Sequence, residues 1–376
     1  MTQTETLENY LLTVQRGRNG LLPSMLRTAA SLLAPVYCAG LETYLFPYKI
    51  GLRRRTVLPA PVISIGNLTV GGTGKTPLTI SLCRMLQSKG IHPAVLNRGY
   101  GGGHERDSVI VSDEQSVQLG AQEAGDEAYL LAKNLPGAPV IAGKDRRITG
   151  ALAIGRFQPD LLILDDGLQF WQLHRDLDIV LLNACDPFDN GWTFPRGLLR
   201  EPPSHLRRAN IILLTHALRI DKKHRDELIQ QLRKLAPGRP ILSADMAPDG
   251  LRSLIDGKLL PNHWLQGKRI VALSAIGQPA IFETMLGEMG ANVADQFRLR
   301  DHASLTIEGW DQVDDHAKKT GAEAIVMTEK DAVKLPAGWK SDMPKLILQV
   351  RMQVEGEQEL LHLVQEAMEK SGRRRI

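Results

Sequence analysis

The run Gly71-Gly72-Thr73-Gly74-Lys75-Thr76 holds the residues whose types and spacing speak most directly of chemistry. Successive glycines let backbone N–H groups turn toward phosphate oxygens, and a helix N-terminus just behind them favours negative charge. Lys75 is spaced to reach the β- and γ-phosphates of a nucleoside triphosphate, and the Thr76 hydroxyl to ligate Mg²⁺. The β-branched run Val62 to Ile65 precedes the loop, and helical spacing from Thr76 to Gln87 follows it. That is the strand–loop–helix context a phosphate-binding loop requires. Thr69 and Val70 complete the cradle, so the expected nucleotide contacts are Thr69, Val70, Gly71, Gly72, Thr73, Gly74, Lys75 and Thr76. The usual pattern has glycine where Thr69 stands, which makes this loop a variant.

Leu161-Leu162-Ile163-Leu164-Asp165-Asp166-Gly167 is an apolar strand ending in two carboxylates. Alone it reads as a strand closed by an Asp-Gly turn. Beside a phosphate-binding loop it reads as the acid-tipped strand that holds Mg²⁺, with Asp165 and Asp166 as candidate ligands alongside Thr76. Spacing does not choose between the two acids. A guanine-reading Asn-Lys-x-Asp motif is missing, since Thr328-Glu329-Lys330-Asp331 has its lysine displaced. ATP with Mg²⁺ is therefore the expected pair.

Positioning these groups takes a sizeable scaffold. At 376 residues the chain suggests two domains. Apolar strand candidates at Ala94–Leu96, Val109–Val111, Pro139–Ala142, Leu161–Leu164, Ile179–Leu182 and Ile211–Leu214 alternate with helical segments. Such runs suit a mostly parallel sheet covered on both faces. The expected fold class is α/β: a P-loop NTPase-like α/β/α sandwich, a second, smaller α/β domain, and an N-terminal helical region. The expected boundaries are 1–55 for that region, 56–245 for the core, 246–268 for a linker rich in Pro, Gly and Asp, and 269–376 for the smaller domain. A net charge of +4 at this length argues against a nucleic-acid-binding polycation. Cys38, Cys83 and Cys185 lie far apart without metal-ligand spacing, as in a reducing compartment.

The first twenty residues have no continuous apolar stretch, which argues against a cleaved secretory signal. Leu21 to Lys49 is apolar-rich but interrupted by Arg27, Pro35 and Glu42, and falls short of the roughly 20 apolar residues of a spanning helix. Leu26, Ala30, Leu33 and Val36 could share one face. Two readings stand: a helix packed on the protein body, or an interfacial helix lying on an anionic membrane with Arg53-Arg54-Arg55 adding attraction. A second basic triplet, Arg373-Arg374-Arg375, lies near the end of the sequence.

The sequence also resembles the tetraacyldisaccharide 4′-kinase (lipid A 4′-kinase) family from about Leu21 to about Pro336. The matching pieces include Gly66-Asn67 with the phosphate loop, Arg98-Gly99-Tyr100-Gly101, Gly125-Asp126-Glu127, Asp165-Asp166-Gly167-Leu168-Gln169 and Leu173-His174-Arg175-Asp176. They continue with Pro195 to Pro202, Ile276-Gly277-Gln278-Pro279, Phe297 to His302, and Thr328 to Leu335. The resemblance implies transfer of the γ-phosphate of ATP to the 4′-hydroxyl of a lipid A disaccharide precursor. It places the enzyme peripherally at the cytoplasmic face of the bacterial inner membrane. Partners are then that lipid and an anionic membrane surface, with no nucleic acid, and the expected state is a monomer.

By the same resemblance, Asp126 takes the hydroxyl proton and His302 pairs with it, the two meeting across domains whose closure assembles the site. Without it, Asp126 reads as a helix N-cap. Catalytic expectations are thus Asp126, His302 and Lys75. Asn67, Arg98, Tyr100, Arg200 and Glu201 are candidates for holding phosphate or sugar, and Lys144 to Arg147 for facing phosphate. The family commonly has histidine where Phe170 stands, and His174 is a candidate substitute. Two other classes stay open: a P-loop ATPase or GTPase that delivers a metal or protein partner, and a kinase-like protein that has lost its activity.

Overall fold

The computed structural model describes Tyr10 and residues 13–15, 17–299, 305–335 and 341–372. His302 and the Arg373–Arg375 triplet lie outside the described residues. Two compact units form. Among described residues, the first combines the chain up to Thr73 with 166–244 and 354–372; the second combines 74–165 with 245–353.

In the first unit, β1 (Val62–Asn67), β6 (Leu177–Asn183) and β7 (Ile211–Thr215) run parallel in that order, and the start of β8 (Ile241–Ser253) joins β7. Nearly every residue of these first three strands is buried, which is why they read as unbroken apolar runs rather than alternating ones. Leu168, Val180, Leu182, Ile212 and Leu214 form the core with Leu228 and Leu232 of α6 (Lys222–Leu235).

The second unit holds β5 (Leu161–Asp165), β2 (Pro93–Asn97) and β4 (Val140–Ala142) in parallel, with β3 (Val109–Ser112) antiparallel at the edge of β4. Helices α2 (Lys75–Ser88), α4 (Asp126–Asn134) and α5 (Arg146–Phe157) belong to it. A further parallel set follows the order β11 (Asn292–Arg298), β10 (Arg269–Ser274), β12 (Ala324–Thr328), β13 (Lys345–Val354). Leu273, Ile325 and Met327 pack against Trp310 and Val313 of α8 (Ile307–Lys319).

Two strands escape the apolar-run criterion. β8 continues through Asp245–Ser253, where Pro248 and Gly250 suggest irregular chain, and its half-buried residues give no continuous apolar signal. β11 is exposed or half-buried throughout, and its Asp295 and Gln296 mask its strand character.

Helix α1 spans Leu21–Lys49 without a break, through Pro35 and Pro47. The residues that interrupt the apolar run, Arg27, Pro35 and Glu42, do not interrupt the helix. Packing along its inner face outweighs the roughly 3 kcal/mol that a helix-interior proline costs. Its 29-residue length and an 18-residue window of mean hydropathy 1.2 meet the requirements for crossing a membrane by size and composition alone. The buried stripe also differs from the expected one: Ala34, Leu45 and Tyr48 are buried, with Cys38 and Leu41 half-buried between them. Leu33 and Val36, read as able to share a face with Leu26 and Ala30, are 54% and 65% exposed. They join Leu22, Met25, Leu32 and Phe46 on an apolar outer face.

Candidate phosphoryl-transfer site

Strand β1 delivers the chain into the phosphate loop. Asn67, at its end, is fully buried, and its side-chain amide donates to Thr73 Oγ1 at 2.9 Å. Expected at a substrate, Asn67 instead braces the loop from beneath. Gly71 and Gly74 adopt φ of 127° and 87°, where a side chain would be strained. A Cβ on Gly71 or Gly72 would meet nothing within 4 Å, so the loop faces open space. Thr69 substitutes for glycine without strain, because its backbone bridges Leu199 and does not take positive φ. The Val70 N–H to Leu198 O (2.8 Å) and Arg200 N–H to Leu68 O (2.7 Å) bonds fasten the loop's approach to the Leu198–Arg200 segment.

Lys75 and Thr76 open α2 behind Gly74, which has no side chain to cap the helix. Thr76 Oγ1 lies 3.3 Å from Asp165 Oδ2 at the tip of β5. Asp165 is 1% exposed and also accepts from Thr79 Oγ1 (3.0 Å) and Asn97 Nδ2 (3.0 Å). Sequence reasoning missed Thr79 and Asn97, which come from different elements. A hydroxyl beside a carboxylate is a hard oxygen set that suits Mg²⁺, an ion that commonly keeps few protein ligands and fills its octahedron with water and phosphate. Among the described residues no three His, Cys, Asp or Glu cluster as a metal cage.

Asp166 diverges from its neighbour. Its backbone is left-handed (φ 54°), and its carboxylate receives Arg200 Nη1 at 3.0 and 2.9 Å. Arg200 also donates to Gln169 Oε1 at 3.2 Å. Glu201, expected at a substrate, is 1% exposed and bonded to Gln169 (3.1 Å), Arg208 (2.7 Å) and His205 (2.7 Å). Burial pushes its carboxyl up, but Arg208 and His205 outweigh this and hold it at about 2. Glu201, expected to hold phosphate or sugar, is thus engaged here by its three neighbours. Gly66 permits the Asp165–Gln169 motif to close over β1, since a Cβ there would stand 2.4 Å from that of Leu168.

Phe170 donates its N–H to Gly167 O, and its carbonyl accepts from Arg175 Nη1 at 2.8 Å. His174 is the candidate substitute for the family's histidine. It faces Asp176 at 3.6 Å, and Asp176 accepts the N–H of Val62. That is the opposite end of β1 from Asn67, roughly 16 Å along the strand.

In the second unit, Asn97 links the acid to the Arg98 loop by accepting the N–H of Gly99 at 2.7 Å. Arg98 pairs with Glu105 at 3.1 Å and lies over the exposed ring of Tyr100. This loop packs so tightly on Gly125 that a Cβ there would stand 2.6 Å from Tyr100 O. Asp126 is therefore the first helical residue of α4 behind an unsubstituted Gly125 cap; it is not an N-cap itself. Lys334 Nζ lies 3.8 Å from Asp126 and 3.9 Å from Asp331, with its side chain 6% exposed. Lys330 similarly faces Glu127 at 3.8 Å. Asp331 accepts from Thr328 Oγ1 (2.6 Å) and the Ala275 N–H (3.1 Å), and burial raises its pKa. The Thr328–Lys334 motif thus braces the Asp126 end of the site and reads no base. Of the basic run at 144–147, Arg146 is buried and Arg147 pairs with Asp145, leaving Lys144 exposed.

His216, at the tip of β7, gives a stability test. It is 3% exposed; burial, then Arg219, lowers its pKa from 6.5 to about 4. Between those values the unfolded chain binds more protons, so stability rises with pH there and is lost as pH falls from 6.5 toward 4. From pH 7.5 to 5, the protein should lose about 2 kcal/mol more than a His216→Asn variant in urea titrations. Parallel pH profiles would refute this.

The tetraacyldisaccharide-1-P 4′-kinase family model matches residues 26–369. The chain is 39% identical over 346 residues to the tetraacyldisaccharide 4′-kinase of Syntrophus aciditrophicus (strain SB), covering 87% of this chain and 92% of that one. It is 42% identical over 306 residues to the enzyme of the same name from Anaeromyxobacter sp. (strain Fw109-5), covering 80% of each. A crystal structure of "apo" form LpxK from Aquifex aeolicus in complex with ATP superposes with a TM-score of 0.72 at 30% identity, over 91% of this chain and 99% of that one. The α/β architecture, with its N-terminal helix, is thus that of a P-loop kinase. With that likeness running through the phosphate loop, the acid-tipped strand and the Asp126 motif alike, the chain belongs to the tetraacyldisaccharide-1-P 4′-kinase family.

Proposed function

We propose that this chain transfers the γ-phosphate of ATP to the 4′-hydroxyl of a tetraacyldisaccharide 1-phosphate, the precursor of lipid A. The observation that carries the chemistry is the contact of Thr76 with Asp165 beside Lys75, which belongs to phosphoryl transfer. Family membership carries the acceptor, and it disfavours a delivery ATPase or GTPase.

The loop amides and Lys75 hold the β- and γ-phosphates. Thr76 and Asp165 would hold Mg²⁺, which when bound neutralises charge on the phosphate oxygens; Asp166 lies next to them, drawn to Arg200. Asp126 takes the proton of the sugar hydroxyl as its oxygen bonds to the γ-phosphorus, while the bond from that phosphorus to the β–γ bridging oxygen breaks and ADP departs. Lys334 orients Asp126 and offsets its charge. His302 is assigned as the partner of Asp126 by resemblance alone. Arg98 and Tyr100, exposed beside Gly125, are placed to meet the sugar or its phosphate.

The outer face of α1 suits an interfacial site on an anionic membrane, at the cytoplasmic side where ATP is supplied. Arg53 and Arg54 are exposed and add positive charge there, although Arg53 also lies over the Tyr48 ring (5.0 Å), as the half-buried Arg55 lies over Trp171 (4.9 Å).

Incubation with Mg-ATP and tetraacyldisaccharide 1-phosphate should yield a bis-phosphorylated lipid by mass spectrometry. Nucleotide hydrolysis with no phosphorylated lipid would refute the reading.

A further inference from the structure

Helix α1 is fastened to the first unit at three successive levels, and each fastening lands on the motifs around Asp166. Tyr37 OH donates to the carbonyl of Arg200 at 2.8 Å. One turn and a half later, Glu42 Oε1 faces His205 Nε2 at 2.6 Å, while Lys49 holds the other oxygen of Glu42 at 2.5 Å. Beyond that, Leu45 and Tyr48 pack on Trp171, whose ring is also covered by Arg208 at 4.8 Å.

The middle fastening continues inward. His205 Nδ1 faces Glu201 Oε2 at 2.7 Å. Gln169 donates to Glu201 Oε1 at 3.1 Å and to the carbonyl of Asn67 at 3.0 Å, and accepts from Arg200, which in turn holds Asp166. A line of hydrogen bonds therefore runs from a helix with an exposed apolar face to the second acid and to the strand that feeds the phosphate loop. His205 thus faces two carboxylates through its two ring nitrogens, an arrangement that an amide, with its hydrogens on one atom, does not reproduce. The side chain of His205 is 11% exposed and that of Glu201 1%, so this clasp is largely shielded from water, where charged hydrogen bonds are strong.

We propose that His205 is a positioning residue that ties helix α1 to the Asp166–Arg200 pair, so that the seat of the helix sets the geometry of phosphoryl transfer. The inference rests on the kinase reading and adds a specific link to it. It means that a surface gripping the outer face of α1 acts on turnover through Glu42, His205 and Glu201, beyond holding enzyme near lipid.

The test is a double-mutant cycle on the full chain, using Glu42→Gln and His205→Asn with Mg-ATP and tetraacyldisaccharide 1-phosphate. Glu42 sits at the exposed end of the clasp, so its variant keeps the test open if His205→Asn folds poorly. Each single change should lower kcat about tenfold, leave KM for ATP within about twofold, and leave the double variant no worse than either single. Unchanged kcat in Glu42→Gln, losses that multiply in the double variant, or a loss confined to KM for ATP would overturn the link. Wild-type protein that transfers no phosphate would instead overturn the kinase reading.

Discussion

Lys75→Ala is expected to lower kcat by about 10²- to 10³-fold while leaving the fold unchanged. Lys75 opens α2 beside glycines that face open space, and no core cluster includes it, so its removal creates no cavity. What is lost is a charge aimed at the phosphate oxygens as negative charge shifts toward the β–γ bridge. Because that charge grows in the transition state, the loss should fall on kcat more than on KM for ATP. Lys75→Arg should rescue little, since a planar fork does not occupy the place of a compact ammonium. Steady-state kinetics with a thermal melt of each variant decides the matter. Near-normal kcat in Lys75→Ala would remove the loop from the chemistry.

The second large effect is expected at Asp126. Asp126→Asn keeps the shape of the side chain but cannot accept the hydroxyl proton, and a lost general base costs about 10²- to 10⁴-fold. ATP affinity should be nearly unchanged, because Thr76, Asp165 and the loop are untouched. Lys334→Met should give a smaller loss in kcat, leaving the Asp126 carboxyl in place but less well oriented, while Asp331 keeps its bonds from Thr328 and the Ala275 N–H. Nucleotide binding by calorimetry and single-turnover transfer separate these cases. An Asp126→Asn protein that no longer binds ATP would contradict the base assignment.

What the sequence made legible is what lies close together along the chain. The phosphate loop and the acid-tipped strand are short, contiguous signals, and the buried parallel strands are continuous apolar runs. What stayed hidden depends on tertiary placement. Thr79 and Asn97 gather on Asp165 from a helix and a separate strand, and Lys334 reaches Asp126 from more than two hundred residues away. The contact of His174 with Asp176, which holds the start of β1, was likewise not legible from its nearness in sequence to Phe170. The face of α1 misled for another reason. Apolar residues cover both of its sides, and the buried side is marked by small Ala34 and Cys38, which a search for the greasiest stripe passes over. Asn67 and Glu201 lie within the recognised motifs, yet burial gives them supporting parts that residue type alone does not reveal.

The two-sided apolar character of α1 also bears on how the protein is made. The helix leaves the ribosome early, but Trp171 and the Thr193–Arg208 segment that cover its inner face follow only after more than a hundred further residues. At ordinary elongation rates that interval is on the order of ten seconds. Throughout it, both sides of the newborn helix are greasy and unclaimed. The order of synthesis therefore leaves this helix without the segments that cover its inner face until they too have been made.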